Sequence, residues 1–395
     1  MQDNIFTYKI PTKLVYGLNA VKEIRKEIDN LGMNKILLVT DKGVHEAGIL
    51  ESIEEEITSS GVDYEIFDDI DFEPTVEIVH RGVDFARKMS YDGIIGVGGG
   101  SPLDTAKAIA VLVTNEGTVH DYVGVDKYMN KPLPFIAVPT TAGTGSEATR
   151  WSLIVDHERE EKLAIGCWDA MPDVSICDPI MTRTMPVGLT ASTGMDALTH
   201  SIEAFVNTNC QNISEAMAEK SISLISHNLR QAVANGNNIE ARDAMLMGSL
   251  TAALAFNVTG ITSVHAISHV VGAHLGVPHG IANAILLPHV MEFSLIGAPQ
   301  RYAQIAQLMG ENLEGLSLME SARKSVTAVR SLLEDVGITE GLSDYGLSKV
   351  GIDEIDAPKE NISRLATEAA GSSSNQLNPR YITSRDIIHI LENAL

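Results

Sequence analysis

The chain has 395 residues, 44% hydrophobic and 21% charged, the balance of an ordinary globular protein long enough for two domains with full cores. Lys and Arg number 29 against 52 Asp and Glu, a formal net charge of −23. Such a surface repels phosphate backbones and anionic lipids, so neither nucleic acid nor a membrane is an expected partner. Any anionic cofactor must be held by local features. Cys167, Cys177 and Cys210 form no C-x-x-C pair and leave an odd one over, which favours a reducing compartment. The start, MQDNIFTYKI, lacks the basic and apolar regions of a signal peptide. No uninterrupted apolar run approaches the ~18 residues of a membrane helix. A cytoplasmic protein is expected.

In chain order, KILLVT (35–40) reads as a buried strand, followed by helical spacing to about residue 59. YEIF (64–67) and GIIGVG (93–98) read as further strands, with the helix TVEIVHRGVDFARKM between them. A helix beginning near Pro102 leads to the strand PFIAVP (134–139). This alternation predicts a parallel sheet with helices on both faces. WSLIVD (151–156), KLAIG (162–166) and VSICD (174–178) prolong the β-rich part. From Thr190 onward the chain is rich in Ala, Met and Leu at helical spacing, as in ALTHSIEAFV and ARDAMLMGSLTAALAF. The domain boundary is placed near Gly188, giving an α/β domain over 1–187 and an all-α domain over 188–395.

GVGGGSPLDTAKAIA (96–110) is the clearest nucleotide signal. A strand runs into Gly98, Gly99 and Gly100, then Ser101 at an expected N-cap and Pro102 at the first helical position. Glycines let the backbone approach a pyrophosphate, and the helix N-terminus offers unpaired N–H groups and a favourable dipole. The G-x-G-x-x-G fingerprint is absent, so a tight turn without ligand is the competing reading. A second small-residue loop, PTTAGTGSEAT (139–149), brings the hydroxyls of Thr140, Thr141, Thr144 and Ser146 to the end of the next strand. Open α/β sheets bind ligands at such strand ends. Asp41 closes the strand KILLVT, where an acid accepts from a ribose diol and repels a 2′-phosphate; a solvated loop acid is the alternative.

Asp196 and His200 stand four apart in GMDALTHSIEAF and project from one helix face, as two ligands of one ion must. VHAISHVVGAHLGVPHG (264–280) adds His265, His269, His274 and His279, four of the chain's 12 histidines. Spacing pairs His265 with His269 on one helix. It leaves open whether His269 or His279 completes a site, since His279 lies past a Gly-Val-Pro turn. Imidazole with carboxylate suits zinc, iron or another first-row divalent ion.

Taken together, GGGSPLDTAKAIA, PTTAGTGSEATR, MPVGLTASTGMDALTHSIEAF and HAISHVVGAHLGVPHGIANAILLPHV resemble the iron-containing (group III) alcohol dehydrogenase family along nearly the whole chain, in the family's order. The look is nearest to members of lactaldehyde reductase and 1,3-propanediol dehydrogenase type. The resemblance implies a dinucleotide-binding α/β domain, a helical C-terminal domain, and an active site in the cleft between them. It assigns a divalent metal, Fe2+ or Zn2+, to Asp196, His200, His265 and His279, and leaves His269 near the substrate as a proton relay. It sets the pyrophosphate of NAD on Gly98, Gly99, Gly100 and Ser101. Asp104, Thr140, Thr141, Thr144, Ser146 and Lys162 surround the rest, and Asp41 marks NAD preference. A homo-oligomer is implied as well.

Two departures from the family pattern, Cys167-Trp168 and Arg150-Trp151, bear on substrate identity. The expected reaction is hydride transfer between a short-chain primary alcohol or diol and NAD, with the ion polarising the alcohol oxygen. Two rivals stand beside it. One is a dehydroquinate synthase-like lyase, which needs a basic cluster that the motifs do not supply. The other is a non-catalytic nucleotide sensor with a structural metal, a role for which three histidines and a carboxylate are atypical.

Overall fold

The computed structural model of the chain describes residues 5–70, 73–159, 161–347 and 362–395. It divides into two compact units, Ile10–Met185 and the pair Met1–Lys9 with Pro186–Leu395.

In Ile10–Met185 the elements follow as β1 (Lys13–Tyr16), α1 (Ile24–Leu31), β2 (Lys35–Val39), α2 (Lys42–Glu46), α3 (Glu51–Ser60), β3 (Asp63–Phe67), α4 (Val76–Met89), β4 (Gly93–Gly98) and α5 (Gly100–Thr114). Then come β5 (Gly124–Val125), β6 (Phe135–Pro139), β7 (Trp151–Asp156), β8 (Glu161–Gly166) and β9 (Val174–Cys177). Six strands form a parallel sheet in the order β1-β9-β6-β4-β2-β3. Side chains alternate between its faces. Leu37, Val39, Ile94, Phe135 and Ala137 join a core with α4 and α5, while Ile36, Leu38, Ile95, Val97, Ile136 and Val138 join a core with α1 and α3. Both faces are covered, which is why these strands read as unbroken apolar runs rather than alternating ones.

The connections through α1 and α3 run one way along the sheet and those through α4 and α5 run the other. The winding therefore reverses between β2 and β4, and ligands bind open α/β sheets at the carboxyl ends beside such a reversal. The helical spacing expected to run to about residue 59 is split into α2 and α3 by a turn at Gly48, whose φ is +69°. The strand β1, whose four residues carry little pattern, was not anticipated, and it pairs along its whole length with β9. WSLIVD and KLAIG stay out of the main sheet and form a small one, β5-β8-β7, in which β7 and β8 are antiparallel. There the Arg150 guanidinium is stacked between Trp151 at 4.8 Å and Trp168 at 4.6 Å, so the two departures noted in the sequence form one contact.

The other unit holds α6 (Val187–Val206), α7 (Asn212–Ala234), α8 (Ile239–Thr259), α9 (Ser263–Leu275), α10 (His279–Ser294), α11 (Pro299–Leu308), α12 (Leu318–Asp335), α13 (Ile362–Ala370) and α14 (Ser384–Asn393). Its described residues contain no strand. The Tyr8 hydroxyl donates to Leu254 O at 3.0 Å and ties the N-terminal segment to α8. α6 is buried almost throughout from Thr190 to Val206 and packs on α7, α8 and α10. Among the described residues one helix, His279–Gly297, is long and apolar enough by composition to cross a membrane, although no uninterrupted apolar run foreshadows it. Most of it is buried against its own unit, as a core helix is.

Candidate metal centre and cofactor loops

On α6, Asp196, His200 and Glu203 follow one another at i, i+4 and i+7, so all three face the same side, and all three are buried. α9 contributes His265 from its first turn and His269 one turn later. α9 ends at Gly276 in the left-handed conformation, and the chain re-enters helix at His279, the first residue of α10. A Cβ on the next residue, Gly280, would stand 2.6 Å from Ser192 O on α6. Glycine there lets the start of α10 close on α6 and delivers His279 to Asp196.

Asp196 Oδ1 lies 3.7 Å from His265 Nε2 and 3.7 Å from His279 Nε2, and one donor atom from each of the three residues falls within 4.8 Å of the others. An ion with ligands at ~2.1 Å in tetrahedral array needs donors spaced by about 3.4 Å. The donor set therefore fits a divalent cation with only small adjustment. His200 stacks on His265 with ring centroids 4.6 Å apart and is backed by Phe256 at 4.2 Å, which sets a third imidazole beside the triangle. The Asn283 amide nitrogen reaches all three donors, at 2.7 Å from Asp196 Oδ1, 3.0 Å from His265 Nε2 and 3.2 Å from His279 Nε2. It marks where their lone pairs converge.

The charges favour a cation here. Burial acts to raise Asp196, but His200, His279 and His265 hold its carboxyl far below the usual range. Burial likewise opposes ionisation of Glu203, and His265 and Thr262 overcome it. Desolvation lowers His265, yet the two carboxylates raise its pKa on balance. A raised imidazole pKa and an affinity for a metal ion are one electrostatic statement: two buried carboxylates need positive charge beside them.

The structure brings Asp196, His265 and His279 together, with His200 against them. His269 is less buried, its ring 5.8 Å from His265 and 5.4 Å from His279. His274 is turned elsewhere, onto Glu368 at 2.8 Å. Glu203 and Asn283 were missed from the sequence. Their one available signal was helical spacing, seven residues from Asp196 and four from His279.

In the α/β unit, α5 begins at Gly100 with Gly99 as its N-cap, so Ser101 is the second helical residue and not the N-cap expected. Leu103 N donating to Gly99 O at 3.3 Å closes that first turn early. Gly98 has φ +149°, and a Cβ there would lie 2.5 Å from Pro102 Cγ. Thr140 N donates to Gly98 O at 2.9 Å, which sets the loop of Thr140, Thr141 and Thr144 against the glycine turn. Asp41, after β2, caps α2 by accepting from Val44 N at 2.8 Å, and its other oxygen faces Gly98. Partial burial pushes its carboxyl up, against the backbone N–H groups of Val44 and Gly43. Asp41 and Gly98 thus meet at the winding reversal.

Asp104 and Ser146 are turned to each other, Ser146 Oγ donating at 2.5 Å. Asp104 also accepts from Leu153 N at 3.0 Å and pairs with buried Lys107 at 3.3 Å. These bonds make Asp104 a brace between α5 and the second loop. Lys162 sits on β8 and pairs with Glu73 at 3.4 Å.

With this geometry in hand, comparison with known proteins gives a consistent result. The iron-containing alcohol dehydrogenase model matches residues 11–179, and the C-terminal model of the Fe-containing alcohol dehydrogenase family matches residues 190–395. The chain is 39% identical over 396 residues to 1,3-propanediol dehydrogenase of Klebsiella pneumoniae, covering 100% of each. It is 39% identical over 386 residues to NAD-dependent methanol dehydrogenase of Bacillus methanolicus, covering 98% of this chain and 99% of that one.

Among solved structures, a 1,3-propanediol oxidoreductase superposes with TM-score 0.94 at 38% identity, over 99% of this chain and 100% of that one. Sulfoacetaldehyde reductase from Bifidobacterium kashiwanohense, solved in complex with NAD+, gives TM-score 0.86 at 29% identity over 99% of both chains. The chain belongs to the iron-containing alcohol dehydrogenase family.

Proposed function

We propose that the protein is a divalent-metal-dependent, NAD-linked dehydrogenase that interconverts a short-chain primary alcohol or diol with its aldehyde. The observation that carries this reading is the triangle of Asp196, His265 and His279, built to cation dimensions in a chain of this family. The same donor set accepts iron or zinc.

Asp196, His200, His265 and His279 would hold the ion, which when bound supplies a Lewis acid for the substrate oxygen. NAD supplies the hydride acceptor. The glycine turn at Gly98–Gly100 and the N-terminus of α5 receive the pyrophosphate through backbone N–H groups, with Ser101 and Thr140, Thr141 and Thr144 alongside. Asp41 offers the oxygen turned toward Gly98 to a ribose diol and opposes a 2′-phosphate. Asp104 and Ser146 act by holding the two loops together, and Lys162 belongs to the same neighbourhood by family pattern. His269, beside His279 and partly open to solvent, carries a proton between substrate and water. A small alcohol as substrate, a homo-oligomeric state and a cytoplasmic location complete the proposal; three unpaired cysteines agree with a reducing compartment.

The test is an anaerobic screen of short alcohols and aldehydes with NAD(H) and NADP(H), with metal analysis of the same sample. Chelator-sensitive NADH formation from a primary alcohol, restored by Fe2+ or Zn2+, is expected. Absence of turnover across the screen in metal-replete protein would overturn the reading.

A further inference from the structure

We infer that Glu203 is the positioning residue that makes His265 a cation ligand, by holding the ring proton on Nδ1 and turning an unprotonated Nε2 toward Asp196 and His279. The inference rests on the cation site proposed above and adds a residue outside its ligand set.

Glu203 Oε2 lies 2.5 Å from His265 Nδ1. Its other oxygen accepts from Thr262 Oγ1 at 2.7 Å and from Val264 N at 2.7 Å. The carboxylate is therefore fixed on both oxygens, in a side chain that is 2% exposed. Thr262 and Val264 flank the start of α9, so one buried acid seats the N-terminus of the helix that carries His265 and orients the ring itself. It does so from α6, the helix that carries Asp196 and His200.

The opposite side of the ring gives an independent reading. Asn283 Nδ2 donates to Asp196 Oδ1, which fixes the amide's orientation, and the same nitrogen is 3.0 Å from His265 Nε2. An ionised carboxylate only accepts and an amide nitrogen only donates. Of the two neutral tautomers, both partners therefore select the same one, Nδ1–H with a lone pair on Nε2. Buried carboxylates that hold a ligand imidazole in this way raise its basicity and lock its angle.

Geometry also says why the residue is Glu and not Gln. The Val264 N–H can only donate, so a glutamine at 203 must turn its carbonyl oxygen to Val264. Its NH2 group would then face His265 Nδ1, force the proton onto Nε2 and aim that proton into the donor triangle.

The experiment uses the full chain labelled with [13C,15N]histidine, with His265 assigned by its loss in a His265→Asn variant. In metal-free and Zn2+-loaded wild type, NMR should show His265 protonated on Nδ1 with a strongly hydrogen-bonded, slowly exchanging N–H. Glu203→Gln should switch the ring to Nε2–H and weaken Co2+ and Zn2+ binding ten- to hundredfold in chelator competition. A wild-type ring protonated only on Nε2 overturns the inference without any variant, so it stays falsifiable even if Glu203→Gln does not fold. Wild-type metal affinity in a folded Glu203→Gln variant also overturns it while leaving the cation site standing. Failure of wild type to bind Co2+ or Zn2+ overturns the site and the inference with it.

Discussion

Asn283 Nδ2 donates to Asp196 Oδ1 at 2.7 Å and stands within 3.2 Å of the two histidine donors, so a single neutral amide spans the whole donor triangle. A cation entering between these atoms displaces that nitrogen and breaks a hydrogen bond to a charged group, worth about 1.5–3 kcal/mol. Asn283→Ala should therefore take up Co2+ roughly tenfold faster or more, read from the rise of its visible absorption in stopped flow. Slower uptake in the variant would show that the amide organises the donors instead of occupying their centre.

The two histidines that spacing alone left undecided separate cleanly by substitution. His279→Ala removes a donor 3.7 Å from Asp196 Oδ1 and should cost both bound metal and turnover. His269 lies outside the triangle, so His269→Ala should retain metal while kcat falls about 100-fold or more, the scale of a lost proton relay. Metal analysis beside steady-state kinetics checks both, and the opposite pattern would exchange the two assignments.

Gly98→Ala meets two obstacles, a φ of +149° and a Cβ 2.5 Å from Pro102 Cγ. The turn must shift, and with it the start of α5. KM for NAD should rise about tenfold or more while metal content stays at the wild-type level. Equal loss of metal would mean that the damage is general unfolding.

Asp41 caps α2 and, in the proposed function, opposes a 2′-phosphate, and the two roles have separable readouts. Asp41→Ala removes the cap on Val44 N and should lower stability by ~1 kcal/mol. It also removes the charge opposing a 2′-phosphate, so the kcat/KM ratio of NADP to NAD should rise by roughly tenfold or more. Asp41→Asn keeps a capping side chain and should show the cofactor effect with little of the stability loss.

Glu147 lies in the second loop, is fully buried, and its Oε1 accepts no hydrogen bond. Burial pushes its carboxyl from 4.5 up to about 7, with Lys107 only partly offsetting this. The folded chain thus holds the proton more tightly than the unfolded one. Its stabilising contribution is complete below pH ~4.5 and is lost as pH rises through about 7, on the order of 3 kcal/mol. Tm of the wild type should fall between pH 5 and pH 8 by several degrees more than Tm of Glu147→Gln. Parallel pH profiles would exclude Glu147 as the source.

What was legible in the sequence is what local pattern dictates. The buried strands at 35–39, 93–98 and 135–139 are continuous apolar runs because both sheet faces are covered, and their order with intervening helices gave the parallel sheet. Asp196 and His200 declared a shared face by spacing. The missed parts are non-local. β1 gains its place only by pairing with β9, some 160 residues away. Glu203 looks like any helical acid until α9 arrives from 62 residues further on to supply His265, Thr262 and Val264. His279 could not be ranked above His269 from spacing, because its position depends on the contact of Gly280 with Ser192.

The stacking of Arg150 between Trp151 and Trp168 has an optical consequence. The chain contains two tryptophans, and both lie on this one guanidinium within Ile10–Met185. Intrinsic indole emission therefore reports the unit Ile10–Met185, and the helical unit that carries Asp196, His265 and His279 is dark in that channel. A fluorescence melt watches one body, whereas a far-ultraviolet circular dichroism melt sums the helices of both. Any lag between the two curves measures how independently those bodies come apart, with no label attached.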